Sequence, residues 1–134
     1  MSAVDPGYSS VLETRTNIAR LREDGLLSSI VKQGAYQTLE DAVANVEACR
    51  TLSPDRARPL LVDLRAGAGI NGAARADYAS PEAAPVIAAI AIVVGSPASR
   101  ILANFFIGLN RLPLPTRLFT EEEAAVAWLR GYLA

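Results

Sequence analysis

The side chains in this sequence that could do chemistry are carboxylates, hydroxyls, arginines and a single thiol. There is no histidine, one cysteine (Cys49) and one lysine (Lys32). Without imidazole, the commonest general base and the commonest nitrogen ligand for zinc are both missing. One cysteine cannot close an intrachain disulfide. Cys49 falls late in a helical pattern beside its apolar stripe, which predicts a buried, inert thiol. Serines are present, but not in the G-x-S-x-G elbow that exposes a nucleophile. Carboxylates can do acid–base work alone. Glu40-Asp41 and Glu121-Glu122-Glu123, however, stand at expected helix starts, where the macrodipole already accounts for them. Asp63, near the end of an apolar run, is the best single acid. Its structural alternative is bonding to the following loop, or pairing with Arg65 or Arg75.

Two segments invite an anion-binding reading. Arg65 to Gly72 (RAGAGING) contains G-x-G, but its third glycine comes one position too early for G-x-G-x-x-G. A P-loop is excluded because the only lysine is Lys32. A flexible strand-to-helix loop is the better reading. Gly95-Ser96-Pro97-Ala98-Ser99-Arg100 places two hydroxyls, free backbone N–H groups and a guanidinium at one helix start. Capping by Ser96, with Pro97 in the first turn, explains every residue there except Arg100.

Regular elements must position these groups. Val11 to Leu21 reads as a strand, Arg22 to Gly25 as a turn, and Leu26 to Lys32 as the returning strand of an antiparallel hairpin. Thr38 to Leu52 reads as a helix with a Thr38/Asp41 capping box and an apolar stripe of Leu39, Ala42, Val43 and Val46, ended by Ser53-Pro54-Asp55. Pro59 to Leu64 is a continuous apolar run that suits a strand covered on both faces. A short helix is expected over Ala73 to Tyr78, and Ser80-Pro81-Glu82 restarts one. Ala89 to Gly95 is the next buried strand. A helix over Pro97 to Asn110 follows, then a short strand, Thr116 to Phe119. A closing helix runs from Thr120 to Leu133 with a Thr120/Glu123 capping box and a stripe of Val126, Trp128, Leu129, Tyr132 and Leu133.

Strands alternating with helices after residue 38 predict an α/β domain with a largely parallel sheet, made mixed by the N-terminal hairpin, and four helices. Ligands in such sheets gather at the carboxyl ends of the parallel strands. That edge would be reached by Asp63 to Gly72, Gly95 to Arg100 and Phe119 to Glu121. The helix over Pro97 to Asn110 carries a wide apolar arc plus Ile107 on its other side, so Asn104, Phe106 and Ile107 are candidate interface residues.

Composition sets the outer bounds. The chain has 134 residues, 51% apolar and 20% charged, with 13 basic against 14 acidic side chains. That is the size of one domain with a core of its own. Residues 1–9 read as a disordered lead and 10–134 as the domain. Near-neutral charge argues against nucleic acid or an anionic membrane as partner. The first residues lack the basic and apolar regions of a signal peptide, and the apolar run Ala83 to Gly95 is too short to span a bilayer. With a lone cysteine, a cytoplasmic location is expected. Nothing in these residue types calls for a cofactor or a metal.

Several stretches carry a family resemblance. They are Thr38 to Ala42 with Asn45-Val46, Pro59 to Arg65, Val94 to Pro97 with Ser99-Arg100, Asn104 to Phe106 with Gly108 to Asn110, and Pro115-Thr116 with Phe119 to Leu129. With a hairpin followed by strand–helix alternation, the chain resembles the STAS, or SpoIIAA-like, fold. It is most similar to a small uncharacterised family of bacterial STAS/SEC14-like proteins. In antagonist-type STAS domains a serine or threonine after the Asp-Leu strand is phosphorylated. Here that stretch is Asn71-Gly72-Ala73-Ala74, without a hydroxyl. The resemblance therefore implies a docking surface at Asn71, Gly72 and Arg75 without that switch. The expected function is a non-enzymatic module that binds a regulatory protein partner or forms a homodimer. The alternative is a small-molecule binder, for an anion, nucleotide or lipid, using Ser96, Ser99 and Arg100 near Arg65.

Overall fold

The computed structural model describes residues 8–78, 86–95 and 114–133. A six-stranded mixed sheet forms the centre, in the order β1-β2-β3-β5-β7-β8. Strands β1 (Tyr8–Glu13), β2 (Asn17–Arg22) and β3 (Leu27–Val31) form an antiparallel meander. From β3 onward the pairing is parallel, through β5 (Arg58–Asp63), β7 (Ile87–Val93) and β8 (Thr116–Phe119). Three helices lie among the described residues: α1 (Leu39–Leu52), α2 (Gly72–Tyr78) and α3 (Glu122–Arg130). The expected helices restarting at Ser80 and running over Pro97 to Asn110 lie outside the described residues.

The first expected strand is in fact two. Thr14 breaks it: its N–H donates to the Asn17 carbonyl at 2.9 Å, and its hydroxyl accepts from the Asn17 N–H at 3.0 Å. This side-chain-to-backbone exchange satisfies a tight turn without glycine. β1 begins at Tyr8, so the strand runs across the expected boundary at residue 10. The second turn matches expectation, with Gly25 at φ +92°.

Each face of the sheet has its own cover. On one face Leu26, Leu61, Ala89, Ala91 and Val93 pack against Ala125, Val126 and Leu129 of α3. The alanines of β7 leave room for the helix to sit close. On the other face Ala19, Leu27 and Leu60 pack against Ala48, Cys49 and Leu52 of α1. Period-2 alternation along β5 and β7 feeds both layers, as a sheet buried on both sides requires.

Two expectations about helices change. Leu39 and Val43 of α1 are 43% and 52% exposed, while Ala42, Asn45, Ala48, Cys49 and Leu52 form its buried face. The buried stripe is rotated because small residues let α1 lie near the sheet and Asn45 finds partners there. At α3 the N-cap is Glu121, with no side-chain cap, so the Thr120/Glu123 box does not form. Acidic side chains in the first turn still favour the helix dipole.

The start of α1 is stapled as expected. Asp41 accepts from the Thr38 N–H at 2.8 Å and from the Thr38 hydroxyl at 2.9 Å. Arg15, from the β1–β2 turn, closes a bidentate pair on the same carboxylate and donates to the Tyr36 carbonyl at 2.8 Å. The Arg15 guanidinium holds the Asp41 carboxyl well below the usual carboxylate range. A lowered folded-state value means stability that is complete above the ordinary aspartate pKa of about 4 and declines as pH falls below it. Asp41→Asn should lower the melting temperature at pH 7 by a few degrees, for about 1 kcal/mol. It should also flatten the acid decline that the native chain shows in melting curves between about pH 4 and pH 2.

Candidate functional site

Between α1, α2 and the sheet lies a cavity of about 470 Å3. Its apolar wall comes from inward residues of three parallel strands and the stretch after β5: Val31, Leu60, Val62, Leu64, Ile90 and Ile92. Val46 and Cys49 of α1 and Ile70 complete it. Burial pushes the Cys49 thiol up to about 12, so it stays protonated near neutral pH. This volume falls in the range of small-molecule sites.

A second, small sheet frames the cavity. β4 (Tyr36–Gln37) pairs in parallel with β6 (Gly69–Ile70), and backbone bonds from Gly34 to Ala66 and from Ala68 to Ala35 extend the zip. The glycine-rich segment makes this possible. A Cβ on Gly67 would stand 2.7 Å from Val31 Cγ1, too close to exist without a shift. The RAGAGING segment is therefore a close-packed ribbon rather than the flexible loop expected from sequence. The ribbon itself was not expected, because two-residue strands leave no periodicity to detect.

The polar end of the cavity is a single hydrogen-bonded cluster. Asn45 is its hub and is 5% exposed. Its Nδ2 lies 2.9 Å from Tyr78 Oη, 3.1 Å from Asn17 Oδ1, 3.2 Å from Thr16 Oγ1 and 3.3 Å from Gln37 Oε1. Its Oδ1 accepts from the Thr14 hydroxyl at 2.5 Å. Asn17 Nδ2 donates to Ser29 Oγ at 2.8 Å, and the Tyr78 hydroxyl donates to Gln37 Oε1. Burial pushes the Tyr78 hydroxyl up to about 12, so it remains a neutral donor.

Hydrogen-bond logic orients Gln37. Its Oε1 accepts from the Tyr78 hydroxyl and faces Asn45 Nδ2 at 3.3 Å, which turns Nε2 away from the cluster. Gln37 is 4% exposed, lines the cavity, and its Nε2 donates to no described residue. The Ser29 hydroxyl accepts from Asn17 and likewise donates to no described group. Arg75 lines the same cavity, and its buried Nε has no hydrogen-bond partner among the described residues.

The sequence-derived candidates separate in space. Asn71 caps α2, accepting from the Ala74 N–H at 2.8 Å, and its own N–H donates to the Gln37 carbonyl at 3.0 Å. Gly72 opens α2 with the Arg75 guanidinium folded beside it, 3.6 Å from where a Cβ would stand. Arg65 is elsewhere. Its Nε and Nη2 grip Asp63 at 3.0 and 2.8 Å, and Nη2 reaches Glu122 at 3.7 Å. Of the two arginines considered as partners for Asp63, Arg65 fills that role. Its guanidinium lowers the Asp63 pKa, so this acid is an ionised acceptor. Ser96, Ser99, Arg100, Asn104, Phe106 and Ile107 lie outside the described residues. Gln37, Ser29 and Tyr78 were not singled out from sequence. A faint signal existed: Asn45 sits three residues from both Ala42 and Ala48, a polar residue inside an apolar stripe.

Comparison places this architecture. An uncharacterized protein of the DUF3478 family with a SpoIIAA-like fold, from Shewanella loihica PV-4, superposes with a TM-score of 0.58 at 15% identity, over 96% of this chain and 98% of that one. The fold is thus SpoIIAA-like, as the resemblance implied. A protein with unknown function from Arthrobacter sp. fb24 is 31% identical over 88% of this chain and 95% of its own, with a TM-score of 0.35. Nothing among the curated proteins matches. No helix among the described residues is long and apolar enough to cross a membrane. The model of a domain of unknown function, DUF7793, matches residues 20–133, and the chain belongs to that family.

Proposed function

We propose that this protein is a non-enzymatic binding module whose cavity takes a small molecule. The observation that carries this reading is the cavity itself, about 470 Å3, apolar along the sheet and polar at one end. Known ligand sites combine these features. Of the residues best suited to catalysis, only Cys49 lines the cavity. Asp63 is ion-paired with Arg65 at 2.8 Å, and Cys49 is a protonated, buried thiol. The neutral fluorescent probe N-phenylnaphthylamine tests occupancy. It should bind the native protein one to one with a rise in emission. Val62→Phe, which puts a ring into the cavity from β5, should abolish binding while keeping or raising the melting temperature. Absence of binding to the native protein, or unchanged binding to this variant, would remove the cavity as a site.

A second reading, docking of a protein partner or a second copy, draws on a different observation. Tyr36, Leu39 and Val43 are 49%, 43% and 52% exposed. They lie at the start of α1 and on the adjoining β4. Concentration-dependent sedimentation that is lost in Val43→Glu would favour it.

A further inference from the structure

We infer that the ligand is a monocarboxylate with an apolar body, its carboxylate held by the Gln37 amide and the Arg75 guanidinium. This rests on the cavity being a binding site. The argument is a balance of donors and acceptors. At the polar end each acceptor has a donor: Gln37 Oε1 has Tyr78, Asn17 Oδ1 has Thr16, Asn45 Oδ1 has Thr14, and Tyr78 Oη has Asn45, whose two amide protons go to the nearest acceptors, Tyr78 and Asn17. The groups left without a described partner, Gln37 Nε2, the Ser29 hydroxyl proton and Arg75 Nε, are all donors. A surface that only donates selects a head group that only accepts. Arg75 is the one charged side chain among the described lining residues, and it forms no ion pair with a described residue. A single positive charge in an apolar wall suits a single negative charge, since a dianion would leave one charge uncompensated away from water. A carboxylate is the acceptor-only monoanion that an arginine fork and an amide N–H meet most directly. The apolar strands beyond then take a hydrocarbon or aromatic body.

Three probes with one body separate the possibilities: decanoate, decanol and decyl phosphate, each titrated by calorimetry below its micellar range. Decanoate should bind about tenfold more tightly than decanol, and more tightly than decyl phosphate. Arg75→Gln should bring decanoate down to the decanol affinity and leave decanol unchanged, with Arg75→Lys restoring part of the difference. Gln37→Glu, which swaps the free donor for a carboxylate, should weaken decanoate binding and spare decanol. Equal binding of decanoate and decanol, or decanoate binding indifferent to both substitutions, would overturn the head-group assignment while leaving the cavity reading intact. Tighter binding of decyl phosphate would overturn it in favour of a dianion. Failure of all three probes, together with loss of the neutral fluorescent probe, would overturn the cavity reading and this inference with it.

Discussion

Asn45→Ala should destabilise the protein by about 3 kcal/mol, or roughly 10 °C in melting temperature for a domain of this size. The side chain is a hub, with four acceptors around its Nδ2 and the Thr14 hydroxyl donating to its Oδ1. Its partners come from the β1–β2 turn, β2, β4 and α2. Removing it leaves buried oxygens on Thr16 and Asn17 with fewer partners, each costing about 1–3 kcal/mol when left unmet. Two such groups span about 2–6 kcal/mol, and water entering from the cavity can satisfy part of the loss, which puts the value in the lower half of that span. Asn45→Leu should be about as damaging despite its better transfer free energy, because it buries a hydrocarbon against oriented polar groups. The exposed neighbour provides the contrast: Val43→Ala should change stability by less than about 0.5 kcal/mol. Chemical denaturation of the three variants checks this. If Asn45→Leu were neutral, the polar cluster would contribute nothing to folding.

Leu129→Ala should be equally costly, at about 3–4 kcal/mol. Leu129 is fully buried and seats α3 on Leu61, Ala89, Ala91 and Val93 of the sheet. The alanines opposite cannot expand to fill the space, so most of the cavity would persist. The tilted Phe119–Trp128 pair, 5.8 Å between ring centroids, and the edge-to-face Trp128–Tyr132 pair, 5.0 Å, should hold the helix in place. The helical circular dichroism signal should therefore survive at low denaturant while the unfolding midpoint falls. A loss below about 1 kcal/mol would mean that α3 is only loosely docked. Because this face is separate from the cavity, ligand affinity should be preserved in the folded variant, unlike in Val62→Phe.

Asn45→Ala and Leu129→Ala probe opposite faces of one sheet, and the faces differ in kind. Under α3 the buried packing is aliphatic, flanked by Phe119 and Trp128. Under α1 and α2 it is interrupted by Asn17, Ser29, Gln37 and Asn45, all nine-tenths buried or more. A domain can carry such groups only if they are bonded to one another or to a ligand. The cluster meets most of its needs internally, and Gln37 and Ser29, which line the cavity, keep donors without a described partner.

Much of the architecture was legible in order of residues. The apolar runs around β5 and β7, the Thr38/Asp41 box and the alternation of strands with helices each rest on local periodicity or capping chemistry, which adjacent residues encode. The order also pointed to a buried thiol at Cys49, and the structure places it in the core beneath α1. It could not show that Leu39 and Val43 face outward, because α1 carries apolar residues around most of its circumference and only the sheet decides which arc is covered. It missed the β1–β2 turn, where a threonine hydroxyl replaces the usual glycine, and the β4–β6 ribbon, whose two-residue strands are too short to show alternation and pair across α1 and β5. Above all, the site depends on distance in space. Gln37, Asn45, Arg75 and Tyr78 are unremarkable polar residues in sequence, and they become a binding surface only when a turn, a helix, a two-residue strand and a second helix converge over one face of the sheet. Local chemistry is written in neighbours, whereas which donors remain unsatisfied is settled only after every other group has found its partner.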